Sequence, residues 1–458
     1  MEPETHVIGK DLGMELARFK PGKTRKTIDH VTAARVRSAA RHIAGYRKLL
    51  DRFGADPMRI SGTSDLAHLP IVQKRWLHDL SLAEVLHERA VPGRLFRTAT
   101  SGFTGLPISI YMSHAEAVFR RWELIRAWRR MATLPIPLRI ADMAGWVDHP
   151  AEHAVARRVG ASVLRIAQWI PVQRQLELIE SFEPHILVGP PTALDLLGRF
   201  VHQQRATVGS LKLVASRGET LFEPVRAMLS EAFDCPVADY YSCEEVGVVA
   251  SECPALPDQL HVNTDACVVE TVDEEGNPTP QNREGRILLT NLYNFTMPFI
   301  RYDIGDHGTL LPSHDRTPCA CGSWRPRMRL VGGRNDEYVF FPDGRRMSPR
   351  LLGTAIYRAA VAPKPDGDVA WLFRGFQANQ DALDHVTVRV LADEDAMPRL
   401  EEAIRRELRN VHAAFRCTIV RTDHIPLEPS GKQKKVKCSI TAGGESIDSR
   451  DGSSVSGS

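Results

Sequence analysis

The sequence predicts an α/β fold, with a large N-terminal domain of mixed sheets and helices followed by a small α+β domain. Three observations carry this. Short apolar runs alternate with helical patterns between about residues 138 and 242, the pattern changes after residue 333, and 458 residues exceed what one hydrophobic core usually organises.

Residues 114–132, HAEAVFRRWELIRAWRRMA, put Val118, Trp122 and Ile125 at helical spacing with arginines on other faces, so a helix packed on one side is expected. The runs LRIADMAG (138–145), SVLRIA (162–167), PHILVGPP (184–191), LKLVAS (211–216) and PVADYYS (236–242) read as strands. Helical patterns between several of them predict a mostly parallel sheet with covered faces. After residue 333, VAWLFRGF (369–376), HVTVRVL (385–391), a helix over 397–415 and CTIVR (417–421) form a small α+β unit. The expected organisation is an N-terminal domain over 1–333, a C-terminal lid over 334–441 with its hinge at Asp336, and a Gly/Ser-rich tail over 442–458 that should be disordered.

The 59 Lys+Arg nearly balance 56 Asp+Glu, a net charge of +3, which argues against nucleic acid or a membrane surface as partner and leaves small molecules. No stretch reaches the ~18 apolar residues of a membrane span, and the N-terminus lacks an apolar signal region, so a cytoplasmic protein is expected. The eight cysteines then read as thiols or metal ligands. Oligomeric state stays open, a homodimer included.

The stretch TATSGFTGLPISI (98–110) offers Thr100, Ser101, Gly102, Thr104 and Gly105, hydroxyls and flexible backbone of the kind that cradles phosphates. It lacks the Gly-Lys-Ser/Thr ending of a Walker loop, and by itself it reads as a turn. Further segments follow in order: ASRGET (215–220), DYYSCEEVG (239–247), IRYDIGD (300–306), GGRNDE (332–337) and PLEPSGKQKK (426–435). Together, in this order and at these separations, they resemble the adenylate-forming superfamily, and RYDIGD and CACG look most like its phenylacetate-CoA ligase branch.

The resemblance implies a two-step ligase. A carboxylate attacks the α-phosphorus of ATP and expels pyrophosphate, and a thiol, with coenzyme A foremost, then displaces AMP. It implies that the 100–105 loop holds the β- and γ-phosphates, and that Arg217, Gly218, Glu219, Tyr241 and Ser242 lie beside the nucleotide. Glu245 would bind Mg²⁺, Asp306 the ribose hydroxyls with Arg334 near the same sugar, and Lys432 the carboxylate and α-phosphate. An aromatic acid is favoured by the branch alone. Taken singly, each residue has a plainer reading: Glu245 with Glu244 as a solvated acidic pair, Asp306 as a turn cap, Lys432 as one of four lysines (432, 434, 435, 437) on a solvated face.

This chain departs from the family pattern at Phe103, Arg217, Ser242 and Glu244, where hydroxyl or glycine residues are usual. These changes leave open an amine or a carrier-protein thiol as acceptor, and, from a different class, a catalytically silent scaffold.

Cys253, His261, Cys319 and Cys321 supply three thiolates and an imidazole, a set that suits tetrahedral Zn²⁺, and these positions recur as zinc ligands in some members of the resembled branch. Buried free thiols are the alternative. Cys235, Cys243, Cys267, Cys417 and Cys438 are assigned to packing. Arg120, Arg121, Arg126, Arg129 and Arg130 read as a solvated helix face, with the phosphates of coenzyme A as the other option. Trp146 and Tyr240 are candidates for the wall of the acyl pocket.

Overall fold

The computed structural model describes residues 25–100, 107–144, 150–312, 317–331, 338–363, 369–383, 385–412, 416–426 and 433–440. Ser101, Gly102, Thr104, Gly105, Trp146, Arg334, Asp336 and Lys432 lie outside the described residues, as does the tail. The chain divides into two compact units. The first holds residues up to Gly189, Thr207–Gly218 and Cys235–Leu330, and the second holds Pro190–Ala206, Glu219–Asp234 and everything from Val331.

In the first unit, helices α1 (Arg25–His42) and α2 (Ala44–Phe53) precede a hairpin of β1 (Phe96–Ala99) and β2 (Ser109–Met112). Helix α3 (His114–Trp128) begins at a capping box: Ser113 accepts from the Glu116 N–H while Glu116 reaches back to Ser113. The five strands read from the sequence are present as β3 (Leu138–Ala144), β4 (Ala161–Ala167), β5 (Ile186–Gly189), β6 (Leu213–Ser216) and β7 (Val237–Cys243). They pair in parallel, and helices α4 (Pro150–Arg158) and α5 (Val172–Phe182) lie in the connections β3–β4 and β4–β5. β5 and β6 are buried at every position, which is why they read as unbroken apolar runs rather than alternating ones.

The sheet continues antiparallel through β8 (Gly247–Cys253), β9 (Leu256–Val262), β10 (Cys267–Val272), β11 (Glu284–Asn291), β12 (Tyr302–Leu310) and β13 (Arg327–Leu330). Its order is β10-β11-β12-β13-β9-β8-β7-β6-β5-β3-β4. The antiparallel half was not read as individual strands from the sequence.

In the second unit, α6 (Pro191–Gln204) and α7 (Glu223–Phe233) are grouped with the C-terminal segment, whereas the sequence draws a single boundary at residue 333. That segment contains two short hairpins, β14 (Val339–Phe340) with β15 (Arg346–Met347) and β16 (Val361–Pro363) with β17 (Val369–Trp371), and helix α8 (Pro349–Ala360). It also contains β18 (Gly375–Ala382), β19 (His385–Leu391), helix α9 (Met397–Val411), β20 (Arg416–Arg421) and β21 (Val436–Cys438), the sheet order being β20-β19-β18-β21. Phe222, just before α7, packs in a tilted arrangement on Tyr357 of α8, with 5.0 Å between ring centroids. A Cβ at Gly353 would stand 2.3 Å from that Phe222 ring, so α8 needs glycine there. The run read as one strand over 369–376 is divided between β17 and β18, because the Leu372 N–H bonds back to Ala360 and the Arg374 N–H to Leu391.

Candidate active site

Thr100 closes the base of the hydroxyl-rich loop. Its N–H donates to the Ile108 carbonyl at 3.0 Å and its hydroxyl accepts from the Ile108 N–H at 2.9 Å, so β1 and β2 hold the two ends of the loop together. Beside it, the Thr98 hydroxyl donates to Glu244 at 2.9 Å. Arg120 of α3 donates to the Glu244 carboxylate and to its carbonyl, both at 2.8 Å. Burial by itself would raise the Glu244 carboxyl, but Arg120 and Thr98 bring it below its ordinary value. Where the resemblance expects a hydroxyl, the chain thus has a carboxylate already neutralised.

Glu245 follows in the turn between β7 and β8. It is 5% exposed, its carboxylate accepts from the Tyr302 phenol at 3.1 Å, and its carbonyl accepts from Asn291 Nδ2 at 2.9 Å. Burial, with the adjacent Glu244 charge, raises its carboxyl above the ordinary value. It is therefore no solvated pair: a desolvated, oriented carboxylate is suited to a hard cation. Tyr302 is placed by its neighbour Arg301, which holds φ +46 while its guanidinium donates to the Leu69 carbonyl at 2.7 Å and to Glu270 at 3.1 Å. Tyr241 of β7 donates to Asp306 of β12 at 2.7 Å. The motifs around 98, 241–245 and 302–306, far apart in sequence, meet in one region of the first unit.

Gly218 holds φ +78, a value that requires glycine after β6. Arg217 is committed to Asp142 of β3. Glu219, in the second unit, spends both carboxylate oxygens: one accepts from Thr192 N–H (3.1 Å) and hydroxyl (2.6 Å), the other from the Gln433 N–H at 3.2 Å. Tyr240 is 5% exposed, and its ring meets Trp128 edge-on at 6.2 Å.

Of the five arginines read as a solvated face, Arg129 and Arg130 are exposed, but the three on α3 are not. Arg120, Arg121 and Arg126 are turned inward onto Glu244, Glu152 and Asp265. Counting charges along the helix missed this because the acidic partners come from distant segments. Asp142 and Arg165 face each other across β3 and β4; Arg165 is the lone charge of β4, while Asp142 shares β3 with Arg139.

Cys253 ends β8, His261 lies in β9, and Cys319 and Cys321 sit on the segment joining β12 to β13. Pairing of β13 with β9, Arg327 opposite His261, brings the two halves together. The four candidate ligand atoms lie within 4.8 Å of one another, with Cys253 and Cys319 sulfurs 3.6 Å apart and His261 Nε2 3.1 Å from the Cys321 sulfur. Zn–S bonds of about 2.3 Å in a tetrahedron give sulfur separations of about 3.8 Å, so the donor set fits that ion. His261 Nδ1 lies 3.2 Å from the Arg325 carbonyl, and as the donor in that bond it leaves Nε2 as the free lone pair. Burial lowers the imidazole's pKa and keeps it neutral.

With this geometry in view, relatives supply the context. Residues 96–296 match the AMP-binding enzyme family. The chain is 24% identical over 417 residues to a phenylacetate-coenzyme A ligase of Thermus thermophilus, covering 85% of this chain and 91% of that protein. It is 25% identical over 311 residues to a phenylacetate-coenzyme A ligase of Pseudomonas putida, covering 64% and 66%. Among solved structures it superposes on 2-hydroxyisobutyryl-CoA ligase in the postadenylation state in complex with R3-HIB-AMP, with a TM-score of 0.75 at 17% identity over 90% of this chain and 89% of that one. Over residues 96–296 the chain thus matches the AMP-binding enzyme family, over most of its length it is similar to a phenylacetate-coenzyme A ligase, and its fold is that of the solved 2-hydroxyisobutyryl-CoA ligase. Among the described residues no helix is long and apolar enough to cross a membrane.

Proposed function

We propose that the protein joins a carboxylic acid to coenzyme A at the expense of ATP. The acid's carboxylate oxygen attacks the α-phosphorus of ATP, the bond to the bridging oxygen breaks, and pyrophosphate leaves. The coenzyme A thiol then attacks the acyl carbon of the adenylate and AMP departs. The observation that carries this reading is the meeting of Tyr241 with Asp306 and of Glu245 with Tyr302, which sets a candidate ribose acceptor and a candidate cation ligand beside the base of the phosphate loop.

In this reading Asp306 accepts the ribose hydroxyls with Arg334 near the same sugar. The loop from Thr100 to Gly105 receives the β- and γ-phosphates, and Gly218, Tyr241 and Ser242 border the nucleotide. Mg²⁺ bound at Glu245 would neutralise phosphate charge. Lys432 carries the compensating charge for adenylate formation, on a lid that turns about Asp336 between the half-reactions. Tyr240 and Trp146 wall the acyl pocket. Zinc at Cys253, His261, Cys319 and Cys321 is structural, since protein fills all four positions and none remains for water. The site of action is the cytoplasm.

The reading is tested by incubating the protein with ATP, Mg²⁺ and a panel of acids, with hydroxylamine as trap and with coenzyme A present or absent. Hydroxamate without coenzyme A, and thioester with it, are expected. Hydroxamate without any thioester would shift the acceptor to an amine or a carrier protein, and neither product would leave a silent homologue.

A further inference from the structure

The parallel half of the first unit's sheet ends in a cluster of charges, of which the resemblance sets only Arg217 beside the nucleotide. Asp142 of β3 accepts from Arg165 of β4 at 2.8 Å and also from Arg217, at the end of β6. Arg165 additionally meets Glu152 of α4, and Arg121 of α3 stands 3.7 Å from the same carboxylate. Three guanidinium groups therefore share two carboxylates. The fourth arginine nearby, Arg120, is matched by Glu244. Within these direct contacts the guanidinium groups outnumber the carboxylates by one, and Asp239 of β7 is a further carboxylate acting on the same place by charge.

It is also poorly hydrated: the side chains of Asp142, Arg165 and Arg121 are 2%, 11% and 14% exposed. Burial, first, and the like charge of Arg165 bring the Arg121 guanidinium down to about 10, while Asp142 holds Arg217 above its ordinary value. In the same place the Tyr240 hydroxyl is buried and, among the described residues, has no hydrogen-bond partner. Arg217, Asp142, Arg121 and Asp239 are all close enough to act on that phenol by charge. A buried donor without an acceptor is costly, and beside surplus guanidinium charge it is satisfied by an anion. Ligands of open α/β sheets bind outside the carboxyl ends of the strands, which is where these groups converge.

We propose that the acid activated by this protein carries a second anionic group, bound at the inner end of the acyl pocket by Arg121, Arg217 and the Tyr240 hydroxyl. This rests on the ligase reading above. The carboxylate that reacts belongs with the phosphates and Lys432, so the group facing the arginines is a different one. An aromatic or an aliphatic frame is compatible with it; the charge at the far end is what the pocket selects.

The test is calorimetric binding, with AMP present, of matched acids differing only in the second charge: 4-carboxyphenylacetate against phenylacetate, and adipate against hexanoate. At least one doubly charged acid should bind about tenfold or more tightly than its partner. R121Q and Y240F should each bring that ratio towards one. Doubly charged acids that fail to bind, or bind no tighter than their partners, overturn the proposal, as do variants that weaken both members equally. Pyrophosphate release, measured on the same panel, separates the two readings: release with singly charged acids at equal or better efficiency defeats the selectivity alone, and no release with any acid defeats the ligase reading.

Discussion

The Tyr241 phenol donates a 2.7 Å hydrogen bond to Asp306, although three strands, β8, β9 and β13, stand between β7 and β12 in the sheet. On a flat sheet four steps of about 4.8 Å would part these strands by about 19 Å, so the sheet must curl until the two strand ends face each other. The curl is what brings two remote motifs together into one candidate nucleotide site.

Asp306→Ala should therefore raise the KM for ATP with little change in kcat, because ribose hydroxyls are held alike in ground and transition states. Tyr241→Phe should act in the same direction and more weakly, and the double variant should cost less than the sum, since one residue orients the other. Calorimetry with AMP checks this; unchanged affinity in Asp306→Ala would contradict the ribose role.

Glu245→Gln should lower kcat on the order of 100-fold while leaving the KM for the acid near its wild-type value, because the lost charge matters most when the phosphates reorganise. The variant should need more Mg²⁺ for half-maximal rate. An unaltered Mg²⁺ requirement would remove Glu245 from the cation site.

The parallel strands were legible because burial on both faces makes them continuous apolar runs, as in β5 and β6. The fold class followed from them. The site was legible only through motif order: Glu245 and Asp306 could be marked, but their partners Tyr302 and Tyr241 owe their contacts to the curl of the sheet, which no local pattern encodes. Arg120 and Arg121 were misread for a related reason. A helix sequence shows its own charges and not Glu244 and Glu152 brought against it from elsewhere. Lys432, Arg334 and Asp336 stand on the resemblance alone.

Lys432→Ala should cripple adenylate formation and spare thioester formation from a supplied acyl-adenylate, since the lysine offsets charge at the α-phosphate, an effect of a few kcal/mol in comparable sites. Rapid-quench assays of the two half-reactions decide it. Equal losses in both would contradict the assignment.

Purified protein should carry about one equivalent of zinc, and Cys319→Ser should lower both zinc content and Tm, because binding energy at such a site is folding energy. Activity per folded molecule should fall less than stability. Elemental analysis with thermal melts measures both; metal-free protein of full stability would leave the four residues as packing.

Burial lowers the Lys435 ammonium in the second unit from 10.5 to about 8, despite nearby Glu219 and Asp195. A lysine depressed in the folded state destabilises it wherever the lysine stays charged: the penalty is full below pH about 8 and fades by the unfolded value. Lys435→Met should therefore stabilise the protein at pH 7, by on the order of 2 kcal/mol, with the gain vanishing towards pH 10.5. Melts across that range provide the check, and a difference independent of pH would contradict it.

The central claim is attack at the α-phosphorus, and the nucleotide product reports it directly. With ATP, Mg²⁺, an accepted acid and coenzyme A, chromatography of the quenched reaction should show AMP and pyrophosphate formed one for one with thioester, and acid-dependent exchange of labelled pyrophosphate into ATP when coenzyme A is withheld. ADP and phosphate as products, or pyrophosphate exchange indifferent to the acid, would contradict the account.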